Sequence, residues 1–207
     1  MRSNTTISPT AASVEFVPEN YLTPINFDLV FRRSAPVEID LGCGDGSFIT
    51  SLARQNPDRN FLGIERLIGR VRSTCRKAGR ENLTNLRVLR VEIGYAIRYL
   101  VPAESVTMFH LLFPDPWPKT RHHRRRLVTA EFLESIRNAL VSGGILQIAT
   151  DEADYFEQIA LLCAAVPEFS AVDPGLDVAH PVSTFGKRFR QAGVKTYLLE
   201  TRKSGAM

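Results

Sequence analysis

The sequence predicts an α/β protein organised on a doubly wound, mostly parallel sheet. Three observations carry that reading. Short apolar runs alternate with longer stretches of helical spacing from Val37 to Val166, the pattern of strands returning through crossover helices. The turns between them are brief and marked by Gly, Pro, Asn or Asp, so each element packs beside the next. Finally, a carboxylate stands at or beside the end of five successive strands: Asp40, Glu65, Glu92, Asp115 and Asp151. Such sheets bind ligands outside the carboxyl ends of their strands, near the switch in strand order. Acids repeated at that edge exceed what a scaffold needs.

In chain order, Met1 to Ser13 is rich in Ser, Thr and Asn and reads as a loose tail. Val14 to Arg33 mixes aromatics with Pro18 and Pro24, which suits it to covering a pocket. Residues 1–36 are therefore set apart from a domain spanning 37–207. Val37 to Leu41 is a strand and Gly42-Cys43-Gly44-Asp45-Gly46 a turn. Ser47 to Arg54 has helical spacing, with Phe48, Leu52 and Ala53 on one face. Phe61 to Ile64 and Leu86 to Val91 are strands flanking a basic helix, Leu67 to Arg80, whose arginines read as a solvated face. A short helix, Tyr95 to Leu100, leads to the strand Val106 to Leu112. Val128 to Leu140 is an amphipathic helix expected to stop at Gly143-Gly144. Ile145 to Ala149 is the next strand, Ala153 to Val166 a helix, and Phe169 to Val172 and Thr196 to Thr201 the final strands.

The bulk properties narrow the function classes. With 207 residues, 44% hydrophobic and 23% charged, the chain suits one domain with a sizeable core. A formal charge of +4 permits a polyanionic partner. Cys43, Cys75 and Cys163 are widely spaced, odd in number and without zinc spacing, so reduced thiols and no metal are expected. No apolar run approaches membrane-spanning length, and no continuous apolar signal region opens the chain. The expected location is cytoplasmic. Monomer and homodimer are both compatible with the sequence.

The most informative stretch follows the strand ending at Leu112. Phe113-Pro114-Asp115-Pro116-Trp117-Pro118-Lys119 has three prolines in five residues, which forbid helix and ladder pairing alike and stiffen the loop. Thr120-Arg121-His122-His123-Arg124-Arg125-Arg126 comes next. A rigid acid beside an indole, backed by a cationic surface, is what a site for one nucleobase within a polyanion needs. His110, inside the apolar strand, reads as a satisfied core histidine, and His122 and His123 as partners of phosphate.

The turn Asp40-Leu41-Gly42-Cys43-Gly44-Asp45-Gly46-Ser47 departs from a dinucleotide fingerprint, because its third glycine comes one residue early. It matches instead the Asp-x-Gly-x-Gly-x-Gly turn of S-adenosylmethionine-dependent methyltransferases. Glu65, closing the second strand in Gly63-Ile64-Glu65, is placed to take two ribose hydroxyls.

Together these residues resemble the bacterial tRNA (guanine-N7-)-methyltransferase family, from about Val37 to the C-terminus. The markers are Asp40-x-Gly42-x-Gly44, Phe61-Leu62-Gly63-Ile64-Glu65, the Phe113 to Arg126 segment and Thr150-Asp151. The resemblance implies the Rossmann-like class I methyltransferase fold, S-adenosylmethionine as cofactor and tRNA as partner. It implies that Asp40, Gly42, Gly44, Glu65, Glu92 and Asp115 line the cofactor site, with Asp115 catalytic. It also implies that Lys119, Asp151, Ser183 and Phe185 meet the substrate and that Arg121, His122, His123, Arg124, Arg125 and Arg126 face RNA. The family usually has Glu in place of Asp40, Asp or Asn in place of Glu92, and Glu in place of Gly186. The expected reaction is methyl transfer to N7 of a guanine in the tRNA variable loop. Two other readings compete: a methyltransferase acting on another base or a small molecule, and a non-catalytic RNA-binding module. The Trp-Pro-Lys continuation and arginine run count against the first. Retention of Asp40, Glu65 and Asp115 counts against the second.

Overall fold

A computed structural model describes residues 14–172 and 191–205. Eight strands form one sheet in the order β1-β4-β3-β2-β5-β6-β8-β7. They are β1 (Glu15–Phe16), β2 (Val37–Leu41), β3 (Asn60–Ile64), β4 (Leu86–Leu89), β5 (Val106–Leu112), β6 (Leu140–Thr150), β7 (Phe169–Val172) and β8 (Tyr197–Lys203). Neighbours from β1 through β6 are parallel, while β8 is antiparallel to both β6 and β7. The order of strands reverses between β2 and β5, so the loops after those two strands open a crevice.

Helices cover both faces, which is why β2 and β3 are buried at every position and read as unbroken runs. On one face, Phe48 and Leu52 of α2 (Ser47–Gln55) and Val71 and Ala78 of α3 (Ile68–Arg80) pack on Phe61, Leu86 and Val88. The other face takes Ile39, Leu62 and Phe109, packed by α5 (Ala130–Ala139) and α6 (Ala153–Ala164) through Phe132, Ile136 and Ile159. Phe61 and Leu62 thus serve opposite cores, as successive strand residues must. Phe27 and Phe31 of α1 (Phe27–Phe31), capped by the Asn26 side chain, join the larger core. Upstream, the Val14 carbonyl accepts from the Val88 amide at 2.8 Å, so residues 14–36 are built into the sheet and its face.

Local outcomes differ from the sequence reading at several places. The helix expected over Val128 to Leu140 runs Ala130–Ala139, capped by Thr129, and ends before any glycine because Leu140 already has extended backbone. Gly143 and Gly144 fall inside β6, where the register against β5 shifts. A Cβ on Gly144 would lie 2.9 Å from the Val141 carbonyl oxygen. The glycine pair thus makes a bulge and is no helix stop. The strand expected to reach Val91 ends at Leu89. The following helix begins at Ile93 because the Glu92 carboxylate caps it, accepting from the Gly94 and Tyr95 amides. That helical turn, α4 (Ile93–Tyr95), continues into a π-helical turn, Ala96–Leu100.

Candidate active site

The glycine turn after β2 is shaped by backbone bonds. Gly42 and Cys43 both donate to the Ile64 carbonyl, at 2.8 and 3.1 Å, and Gly46 donates to Cys43 at 3.0 Å. Gly46 stands at φ +81°, and a Cβ there would lie 2.4 Å from Thr74 Oγ1. Only glycine fits. Beside the turn, the buried Glu65 carboxylate accepts from Gly44 N at 3.2 Å and Leu67 N at 2.9 Å, with Arg70 Nη1 at 3.6 Å. A buried charge held by two amides and a guanidinium is oriented before any ligand arrives.

Asp40, only 3% exposed, is close enough to feel the Glu65 charge. Burial pushes its pKa up to about 7, with His110 opposing and the Glu65 charge assisting. His110 lies in a polar row crossing the sheet. Gln147 donates its amide to Glu200 at 2.6 Å, which leaves the Gln147 oxygen facing His110 Nδ1 at 3.1 Å. Glu38 meets Nε2 at 3.0 Å and is itself paired with Arg59 at 2.8 Å. Both ring nitrogens therefore face oxygen acceptors, an arrangement that favours the protonated ring. Burial alone would lower its pKa, but the Glu38 bond and charge, helped by Gln147 and Asp40, raise it. Glu38 responds in kind: burial raises it, and His110 and Arg59 bring it below the usual carboxylate value. His110 is a satisfied core residue.

Two adjoining cavities open in front of these groups. The larger, about 400 Å³, is lined by Gly42, Glu65, Arg70, Glu92, Asp115 and Trp117, with apolar walls from Val91, Ile93 and Leu127. The smaller, about 130 Å³, is lined by Asp40, Gly44, Asp45, Phe48, Arg70 and Asp115. No described residue before Leu41 other than Asp40 lines either. Residues 15–32 instead wall a separate groove with Thr84 and Arg87.

The proline-rich loop presents Asp115 to both cavities. Phe113 and Trp117 bracket it with φ of 56° and 44°. Two non-glycine residues in the left-handed region cost on the order of 1–3 kcal/mol each, and such strain gathers at functional sites. Bonds at the loop's flanks hold it there. Phe113 N donates to the Ala149 carbonyl at 2.7 Å, and Arg126 Nε donates to the Pro116 carbonyl at 2.8 Å.

Arg126 corrects the expectation that the whole basic run faces RNA. It is 4% exposed; its two terminal nitrogens meet Gln158 and Asp154, and its guanidinium lies over Tyr155, 4.7 Å from the ring centre. A guanidinium so enclosed cannot reach a phosphate. It ties the Asp115 loop to α6, and its bond and charge hold the Asp154 carboxyl below its usual pKa. The other arginines differ. Arg121, Arg124 and Arg125 are exposed on a 3₁₀ turn, Thr120–Arg125. Arg125 covers a Trp117 face at 4.9 Å, and His122 meets that indole edge-on at 5.9 Å. His123 is half-buried, with Nε2 3.8 Å from Asp154.

The structure therefore brings Asp40, Gly42, Gly44, Glu65, Glu92 and Asp115 to one cleft. Asp151 follows β6, whose pairing with β5 places the two strand-end loops side by side. Lys119 is exposed and lines neither cavity. Ser183, Phe185 and Gly186 lie outside the described residues. Sequence reasoning treated the arginines of α3 and its approach as solvated, yet Arg66 and Arg70 line the larger cavity. The available signal was proximity, since both follow Glu65 within a helical turn or two. Among the described residues no group of His, Cys, Asp and Glu is arranged to hold a metal, and no helix is long and apolar enough to cross a membrane.

The doubly wound sheet, with its antiparallel β8 and the glycine turn at the cleft, has the class I methyltransferase fold. A solved structure described as the 16S rRNA methyltransferase KamB shares that fold, with a TM-score of 0.62 over 86% of this chain and 93% of that one at 19% identity. A family model described as "Putative methyltransferase" matches residues 34–199. A curated tRNA (guanine-N(7)-)-methyltransferase of Syntrophotalea carbinolica is 33% identical over 190 residues, covering 90% of this chain and 82% of its own. One of the same name from Leifsonia xyli subsp. xyli is 36% identical over 186 residues, covering 86% and 81%. The chain belongs to the bacterial tRNA (guanine-N7-)-methyltransferase family.

Proposed function

We propose that this protein transfers a methyl group from S-adenosylmethionine to N7 of a guanine in the variable loop of tRNA. The observation that carries the reading is Asp115, held between two strained residues at the junction of both cavities, next to an exposed cationic rim. A carboxylate in a strained loop, facing a cleft, is positioned for a ligand.

The residues fit the cofactor. Glu65 is buried, ionically oriented and has lone pairs left for the ribose hydroxyls. Val91, Ile93 and Leu127 provide apolar walls for a flat base. Gly42 lines the cavity at φ +82°, a backbone conformation that favours glycine. Asp40, Gly44 and Asp115 surround the smaller compartment, suited to the cationic methionine end. Glu92 uses its oxygens to cap α4 at 3.0 and 2.8 Å and turns its remaining lone pairs to the cleft.

The bound cofactor supplies an electrophilic methyl group on its sulfonium. Guanine N7 has an in-plane lone pair and no proton, so no general base is required. The chain's task is orientation, which in favourable cases is worth roughly 7–11 kcal/mol. Asp115 accepts from the guanine N1 and N2 donors or offsets the positive charge that develops on the purine. Asp115→Asn removes the charge and leaves one acceptor where the two guanine donors need two, so transfer should fall on either account. Lys119, exposed at the end of the same loop, and Asp151, at the neighbouring strand end, are assigned to the substrate together with Ser183 and Phe185. Arg121, His122, Arg124 and Arg125 face the RNA, with His123 half-buried behind them.

Incubating unmodified tRNA with the protein and labelled cofactor, then digesting to nucleosides, tests the reading. Label in 7-methylguanosine is the expected result. Label in another nucleoside, or none, overturns it.

A further inference from the structure

Arg70 stands apart from the other cations of the cleft. The larger cavity is lined by Arg66, Arg70 and Arg125, whereas in the smaller one Arg70 is the sole lining cation among the described residues. Its neighbours there are Asp40, Asp45 and Asp115. That acidic company suits an ammonium and a sulfonium and repels a carboxylate. Yet a methionine-type head group has a carboxylate as well, which needs its own donor.

Glycine turns often supply such a donor through their backbone amides. Here most of those amides are spent within the fold. Gly42 and Cys43 donate to the Ile64 carbonyl, Gly46 to Cys43, Gly44 to Glu65 and Ser47 to Asp45. Phe113 donates to Ala149, and Pro114 has no amide hydrogen. Lys77 bridges Asp45 at 2.8 Å and Ser47 at 2.6 Å and lines neither cavity. Arg70 remains. One nitrogen lies 3.6 Å from Glu65, beyond a good hydrogen bond, and the side chain is 50% exposed. Its fork therefore retains free donors over the cleft.

We propose that Arg70 is a cofactor-binding residue, taking the α-carboxylate of the methionine portion while its flank stays beside Glu65. This rests on the S-adenosylmethionine reading above. It makes the first turn of α3, hitherto a solvated face, part of the specificity for the intact amino acid.

Calorimetry with two ligands tests it: S-adenosylmethionine and its decarboxylated form, which differ by that carboxylate. Wild-type protein is expected to prefer the intact cofactor. Arg70→Gln should weaken intact-cofactor binding about tenfold, the scale of one charge-assisted bond at a half-exposed site. It should leave the decarboxylated ligand within about twofold, and Arg70→Lys should recover part of the preference. An equal loss for both ligands would assign Arg70 to orienting Glu65 and overturn the proposal. An unchanged preference, with or without weaker tRNA binding, would overturn it too. Failure of wild-type protein to bind either ligand would instead bring down the cofactor reading itself, a distinguishable result.

Discussion

The floor of the cleft and its rim are both densely charged, but they handle charge in opposite ways. On the floor, Glu65 is held by two amides and Arg70, and Asp45 by Lys77 and Ser47, while in the sheet behind the cavities Glu38 is held by His110 and Arg59. Along the rim, Arg121, Arg124 and Arg125 are exposed, and among the described residues none makes an ion pair. Arg126, one position further, belongs to the floor in character. Charges paired within the protein set geometry; unpaired ones are available to a polyanion. Adjacent residues of one type can fall on either side of that line.

The sharpest break should come at the junction of the two regions. Asp115→Ala is expected to reduce transfer by about 10²–10³-fold or more, the scale of removing one preorganised electrostatic group. The side chain is exposed, so circular dichroism should show an unchanged melting temperature. Near-normal turnover would separate the loop from the chemistry.

Glu65→Ala probes the floor directly. It removes the acceptor of two amides and the proposed ribose contact. Cofactor binding should weaken by on the order of 3 kcal/mol, since each charge-assisted bond is worth roughly 1.5–3 kcal/mol. Cofactor and tRNA titrations check this: tRNA affinity without cofactor should hardly move.

Asp40 tests whether the floor is strained for function. Its carboxyl moves from an ordinary 3.8 to about 7 in the folded protein. The folded state therefore retains a proton that the unfolded chain releases, and this group's contribution falls as pH climbs from about 4 towards 7. Asp40→Asn should be more stable than wild type at pH 8, by on the order of 1–3 kcal/mol. The gain should vanish below pH 4, and cofactor affinity should drop. Denaturant unfolding across that range decides; equal stability at every pH would remove the inferred cost.

The rim supplies the smallest effects and the clearest contrast. Arg121→Ala, Arg124→Ala and Arg125→Ala should each flatten the plot of log tRNA affinity against log salt by roughly 0.7–0.9. Arg126→Met should leave that slope alone and cost about 2 kcal/mol of stability through lost bonds to Pro116 and Gln158. A changed slope for Arg126, or lower melting temperatures for the other three, would erase the distinction.

Periodicity made the sheet legible, because strands covered on both faces must be continuous apolar runs and their helices must be amphipathic. The misread glycines at 143 and 144 show the limit of local rules. Helix stop and β-bulge call for the same residue, and only the partner strand β5 decides between them. Asp40, Glu65, Glu92 and Asp115 were findable because strand ends in a parallel sheet converge on one edge.

By itself the sequence determined the fold class, the glycine turn and which acids gather at the cleft, since each is written in spacing along the chain. Tertiary structure alone decided which cations belong to which region. Arg126 turns inward because Asp154, Gln158 and Tyr155 wait some thirty residues away on α6. Arg70 turns to the cleft because α3 starts beside Glu65. Consecutive arginines are chemically identical in a sequence, and only the three-dimensional position of their partners separates a pin from a surface.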